Sequence, residues 1–283
     1  MIMAVSDPDD PLTQLLQDTG INNRQAIWLW LGLYVYESLD LDRNTCNGAT
    51  MRDVVANALK VAPDIAYDIP AKKDRYLLPA EQMAWITDDK RQIQWLSPKI
   101  DNLTNQVLPR GLVHLQGRDR LIAALDIWQG DLEEKGLEVE RLHDQWRRHI
   151  AKDSQFEWFT DKKEGTKRCI CAWEWIQKNP LDSVRRPSPI GNYNELLMYF
   201  DQAELDRYGQ KAVIQEIKKR WSRQQFSERN ADKRQVNAML PHDLINQIDE
   251  LAQKHGLKQR EVIEALLRKG IESRTFPIEP QGE

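Results

Sequence analysis

The chain has 283 residues, room for two or three domains, with 41% hydrophobic and 30% charged residues and a formal net charge of −4, the profile of a soluble globular protein with an ample core. Its longest apolar run, residues 26–36, has eleven residues and is too short for a membrane span, and the opening MIMAVSDPDD has neither the basic flank nor the cleavage site of a signal peptide. Three cysteines, an odd number, point to a reducing cytoplasm and away from a disulfide framework.

Residues 1–11 are acidic and proline-bearing and read as a loose terminus. A short helix over 11–18 breaks at Gly20. Asn22 or Asn23 can cap a helix over 24–39, because a side-chain oxygen there accepts from an otherwise unpaired first-turn N–H. This helix carries IWLWLGLYVY, apolar on nearly every side, and belongs at the centre of an N-terminal core. A second helix over 50–61 turns Met51, Val54, Val55, Ala58 and Leu59 inward. Pro63, Pro70 and Pro79 make 62–79 read as a long extended connection. Helices are expected again at 80–86, 92–96, 121–128 and 136–151, with 98–109 irregular; Leu125, Trp128, Leu137, Leu142, Trp146 and Ile150 face inward. KKEGTK (162–167) reads as a turn. CICAWEWI (169–176) is either a strand or a buried helix, since so short a run does not discriminate. SVRRPSPIG, at 183–191, is the best domain boundary, and 193–200 and 201–226 after it look helical, with Ile214, Ile217, Trp221 and Phe226 inward. No repeat with a period of 20–50 residues is evident.

The first two thirds contain no GxxxxGK, GxGxxG, HExxH or GxSxG. His143, His149, Cys169 and Cys171 are the one set of zinc-type donors. Two histidines six apart on a helix point roughly 120° away from each other, and Cys-x-Cys shares a face only in a strand. Acidic pairs such as Asp88–Asp89 and Glu133–Glu134 have no nucleophile or ligand at telling spacing. No catalytic residue, metal or cofactor is therefore assigned.

Charge changes sign along the chain. Residues 211–274 hold 14 Lys or Arg and 9 Asp or Glu, a balance of +5, against 26 and 35 elsewhere, a balance of −9. Lys218, Lys219, Arg220, Arg223, Arg229, Lys233 and Arg234 form a basic run suited to phosphate contact. After it, 234–240 alternates, with Val236, Ala238 and Leu240 on one side and Gln235, Asn237 and Met239 on the other. Pro241 stops strand pairing and suits a helix start. Leu244, Ile245, Ile248, Leu251 and Ala252 recur at helical spacing, Gly256 supplies the stop, and Val262, Ile263, Leu266, Leu267 and Ile271 make a second stripe. The order is strand, helix, tight turn, helix. About forty residues so arranged cannot bury a sufficient core alone; two copies that pair strands and interleave helices can.

This order, with the step from Pro241 to Gly256 and the GLKQREVIEALL second helix, resembles the ribbon-helix-helix superfamily of DNA-binding proteins. The resemblance implies a homodimer with Val236, Ala238, Leu240, Ile248, Leu251, Val262, Ile263 and Leu266 in its shared core. It implies base reading by Gln235, Asn237 and Met239, and phosphate contact by Lys258 and Arg260. The run IKKRWSRQQFSERNADKRQVNAML and the two helices after it are further similar, over about 221–267, to the C-terminal part of the MatP family, which organises the replication-terminus macrodomain of bacterial chromosomes. The first 190 residues have no counterpart there, and no room follows for that family's coiled coil.

The fold expected is mainly α. A large helical domain (1–190, with a break near 98–111) precedes a helical segment with a basic arm (191–232), a ribbon-helix-helix unit (233–274) and a tail (275–283). The function expected is that of a non-enzymatic, cytoplasmic, nucleoid-associated homodimer binding double-stranded DNA sequence-specifically, a transcriptional regulator or chromosome-organising factor. Residues 1–190 then sense, oligomerise or recruit a further protein partner. The alternative is an enzyme or toxin-like N-terminal domain, such as a nuclease, with an autoregulatory DNA-binding tail.

Overall fold

A computed structural model describes residues 10–16, 21–181, 183–184, 187–231 and 236–273. The elements are α1 (Pro11–Leu16), α2 (Asn23–Val35), α3 (Met51–Val61), α4 (Pro63–Tyr76), α5 (Lys90–Leu103), α6 (Gly117–Ile127), α7 (Leu132–Ile150), α8 (Gly165–Lys178), α9 (Tyr193–Gln202), α10 (Arg207–Arg229), α11 (His242–His255) and α12 (Gln259–Ser273), with 3₁₀ turns at Arg43–Thr45, Ala80–Met83 and Ala151–Thr160. They divide between two units, Met1–Gln224 and Gln225–Glu283.

In the first unit, α2 is the organising element. Asn22 accepts from the backbone N–H of Gln25 at 3.0 Å while the Gln25 side chain accepts from the N–H of Asn22 at 3.1 Å, a reciprocal capping box that satisfies two orphan donors. Ala26 to Leu31 and Leu33 are all buried. With no polar face, such a helix is stable only inside a core. The indole N–H of buried Trp30 donates to Thr45 Oγ1 at 2.9 Å, so its burial leaves no donor unpaired. α1, α3, Ile69, Leu115, Ala123 and Ile127 complete this core.

The connection expected over 62–79 is instead mostly helix, α4. Pro63 occupies the first turn, where a missing N–H costs nothing, and Pro70 inside the helix forfeits a single i→i−4 bond. α5 likewise runs through Pro98 to Leu103, so the irregular piece expected at 98–109 begins later. A second core joins Leu96 and Ile100 of α5, Leu121 and Leu125 of α6, and Val139 and Leu142 of α7. Leu137 and Ile150, expected inward, are exposed, as is Phe226 of α10.

A third core holds Phe156 and Phe159 of the 3₁₀ turn, Cys169, Ala172 and Ile176 of α8, Leu196 and Phe200 of α9, and Ile214 and Ile217 of α10. CICAWEWI is thus helical. Gly165 opens α8 because a Cβ there would lie 2.5 Å from the carbonyl oxygen of Phe159. Val184 and Ile190, within the boundary-like 183–191, pack into this same core.

The ribbon is overturned. No strand occurs among the described residues, and 236–240 carry no ladder hydrogen bonds. Val236 and Met239 are exposed. The physical reason is that extended backbone gains its bonds only from a second strand, and no described segment supplies one. The second unit takes in the end of α10 and a helical pair, α11 and α12, closed on a small core of Ile248, Ala252 and Val262 with Ile263 against it. Gly256 makes the turn at φ +65°. Its N–H donates to Gln253 O at 3.4 Å, and that of Leu257 to Ala252 O at 3.0 Å, the Schellman pairing that glycine permits without a Cβ penalty.

Candidate nucleic-acid interface

The basic residues of α10 follow from its register. Ile214, Ile217 and Trp221 recur at i, i+3 and i+7 and are buried, which sets one face of the helix inward and turns the intervening cations outward. Lys219 and Arg223 are exposed, as is Arg229. Lys219 pairs within the helix with Glu216 at 2.7 Å. Lys218 is half-buried, with Nζ 5.5 Å from the ring centre of Trp158.

Arg220 behaves differently. It reaches Glu174 on α8 at 2.5 Å, and that hydrogen bond, against a smaller desolvation cost, raises the guanidinium pKa. Arg220 therefore links α10 to α8, unlike the other described cations of the run. Arg168 lies over Trp158 at 4.7 Å and Trp221 at 6.0 Å and reinforces the same packing.

Lys233, Arg234 and Gln235 lie outside the described residues. Asn237 and Met239 are exposed on the segment before α11. Lys258 and Arg260 are exposed around the start of α12, and the backbone N–H of Lys258 has a partner. The carboxylate of Glu261 accepts from the Lys258 N–H at 2.9 Å and itself neutralises the positive end of the helix dipole. Gln259 Nε2 also donates to the carboxylate of Asp249. Charge agrees with this arrangement. Residues 211–234 hold 8 Lys or Arg and 3 Asp or Glu, whereas 235–274 hold 6 of each. The whole positive balance of the C-terminal part therefore sits on α10 and the arm after it.

Of the residues expected in a dimer core, Ile248, Val262 and Ile263 come together inside the helical pair. Val236, Ala238, Leu240, Leu251 and Leu266 do not; they are exposed, together with Leu244, Ile245, Leu267 and Ile271. The pair thus leaves more large apolar side chains outside than inside.

The zinc-type donors are each otherwise engaged. His143 stacks on Trp85 at 4.6 Å. His149 Nε2 lies 2.8 Å from Asp201 Oδ1. Cys169 and Cys171 are buried, and burial pushes the Cys169 thiol up to about 11. Among the described residues no group of three or more His, Cys, Asp or Glu is placed to hold a metal ion.

Two buried charge clusters in the first unit escape sequence reasoning. Arg91 binds Asp153 (Nη1–Oδ2 2.6 Å, Nη2–Oδ1 2.9 Å) and Asp201 (Nε–Oδ2 2.6 Å, Nη2–Oδ1 3.0 Å). Asp201 pulls in His149 as well. Burial, the largest influence on Asp201, opposes its charge, but His149 and Arg91 together outweigh it and hold the carboxyl below its ordinary value. In the other cluster Arg24 grips Asp126 through Nε at 2.7 Å and Nη2 at 2.6 Å. Lys135 is buried beside them, donating to the carbonyls of Tyr76 at 2.8 Å and Asp126 at 3.0 Å. Burial lowers its pKa to about 8, with the Asp126 charge opposing. The partners in these clusters stand up to 110 residues apart, so no local motif announces them.

No family model matches the chain, and comparisons with curated proteins and with solved structures each give no match.

Proposed function

We propose that the protein binds double-stranded DNA as a homodimer, in transcriptional regulation or chromosome organisation. The basic residues of α10 and the arm after it meet phosphate, and the exposed apolar faces of α11 and α12 are the contact between copies. The observation that carries the reading is the adjacency of these features. A segment with a balance of +5 over 24 residues leads into a helical pair whose buried apolar core is three residues. A cationic segment of this density releases condensed counterions on binding DNA. A helical pair with so small a core needs a further apolar surface to be stable, and a second copy supplies an identical one by two-fold symmetry.

In-vitro selection from a random duplex pool with the purified full chain tests the reading. A two-fold dimer is expected to enrich one inverted-repeat motif, since paired half-sites mirror protein symmetry. Retention of duplex without any enriched motif would overturn sequence-specific binding, and no retention at low salt would overturn DNA binding itself.

A further inference from the structure

A cavity of about 190 Å³ lies in the first unit, walled by α2, α4 and the end of α6. On its α2 wall is Gly32. This glycine has no conformational reason to be one, because it is not among the residues with positive φ. Nor does crowding explain it, since a Cβ built on it would meet nothing within 4 Å. Yet it sits within a largely buried helix, between buried Leu31 and Leu33, where glycine weakens a helix relative to alanine. The space that its missing side chain leaves belongs to the cavity.

The rest of the wall says what fits. Trp28, Tyr36, Tyr76 and Trp128 contribute aromatic rings, and Ile65 closes the α4 side. The Tyr36 hydroxyl is held by the carbonyl of Ile127 at 2.5 Å, which fixes that ring. The charges present are internally matched: Lys72 pairs with Glu37 at 3.1 Å, and Asp126 with Arg24 at 2.6 Å. No uncompensated charge is therefore offered to a ligand. An apolar cavity of about 150 Å³ holds benzene, so this one is the size for one or two rings.

We propose that the cavity over Gly32 is a binding site for a small uncharged aromatic molecule of one or two rings. Ring stacking against the wall selects aromatic over aliphatic ligands, and a few polar groups among apolar walls orient them. The site lies wholly within the first unit and is independent of the nucleic-acid reading.

Indole, titrated into the full chain by calorimetry, is the probe. Saturable one-to-one binding is expected, with Kd on the order of 1 mM or tighter. Gly32→Leu, which fills the cavity from α2, is expected to weaken binding at least about tenfold while melting no lower than the parent protein. Should that variant fail to fold, Ile65→Phe fills the cavity from α4 and carries the same expectation. The absence of heat at millimolar indole, or undiminished binding in the filled variant, would overturn the site. Equal affinity for cyclohexanol would overturn its aromatic selectivity.

Discussion

Arg91 is 5% exposed and holds two carboxylates from distant parts of the chain. Such a buried cation is worth little as a net gain over apolar packing, but its removal strands the charges that it compensates. Arg91→Met is expected to lower unfolding stability by about 3–5 kcal/mol at pH 7, measured by urea denaturation. The pH dependence carries a sign. The carboxyl of Asp201 is held below its ordinary 3.8 in the folded protein. Its contribution is therefore fully present above that value and is lost as pH falls through the depressed folded pKa. In Arg91→Met the favourable hydrogen bonds and charge of Arg91 are gone and burial, which raises the pKa of Asp201, has more weight, so the deficit relative to the parent is expected to shrink below pH 4. A deficit that stays constant down to pH 3 would contradict the assignment. None of this was legible in the sequence. The partners of Arg91 stand 62 and 110 residues away, and an arginine beside lysine on an amphipathic helix reads as surface.

At the scale of elements, local chemistry was readable and long-range chemistry was not. Asn22 and Gly256 were legible because capping requires particular atoms at particular offsets. Asn22→Ala, which removes the side-chain half of the capping box, is expected to cost about 1 kcal/mol. Gly256→Ala is expected to cost about 1–2 kcal/mol because a Cβ must enter the left-handed region at φ +65°; thermal unfolding reads both. α4 was missed because prolines punctuate it, although Pro63 stands where a helix tolerates proline. CICAWEWI stayed undecided until Ile214 and Ile217 of α10 and the third core supplied the surfaces that a helix there buries against. The alternation at 234–240 misled for the opposite reason. Period two is necessary for a half-buried strand, but a strand also needs a partner edge, and the described residues provide none.

At the scale of the whole molecule, the acidic body and the basic stretch at 211–274 were both legible as charge. That the positive balance stops before α11 comes from counting in narrower windows, and the structure adds Glu261 at the start of α12. The exposed Leu251 and Leu267 are expected to be covered in solution by a second copy. Sedimentation of the full chain should then give a dimer, and Leu251→Glu with Leu267→Glu a folded monomer with weakened DNA binding. A parent protein that sediments as a monomer at tens of micromolar would remove this contact.

The most direct test of DNA binding by α10 is a fluorescence-anisotropy titration of a labelled duplex with the full chain at several salt concentrations. The parent protein is expected to bind with log K falling linearly against log salt. Arg223→Ala with Arg229→Ala is expected to bind more weakly and to flatten that slope by about two, one for each lost phosphate contact. A salt-independent affinity, or a slope unchanged by the double substitution, would contradict the account.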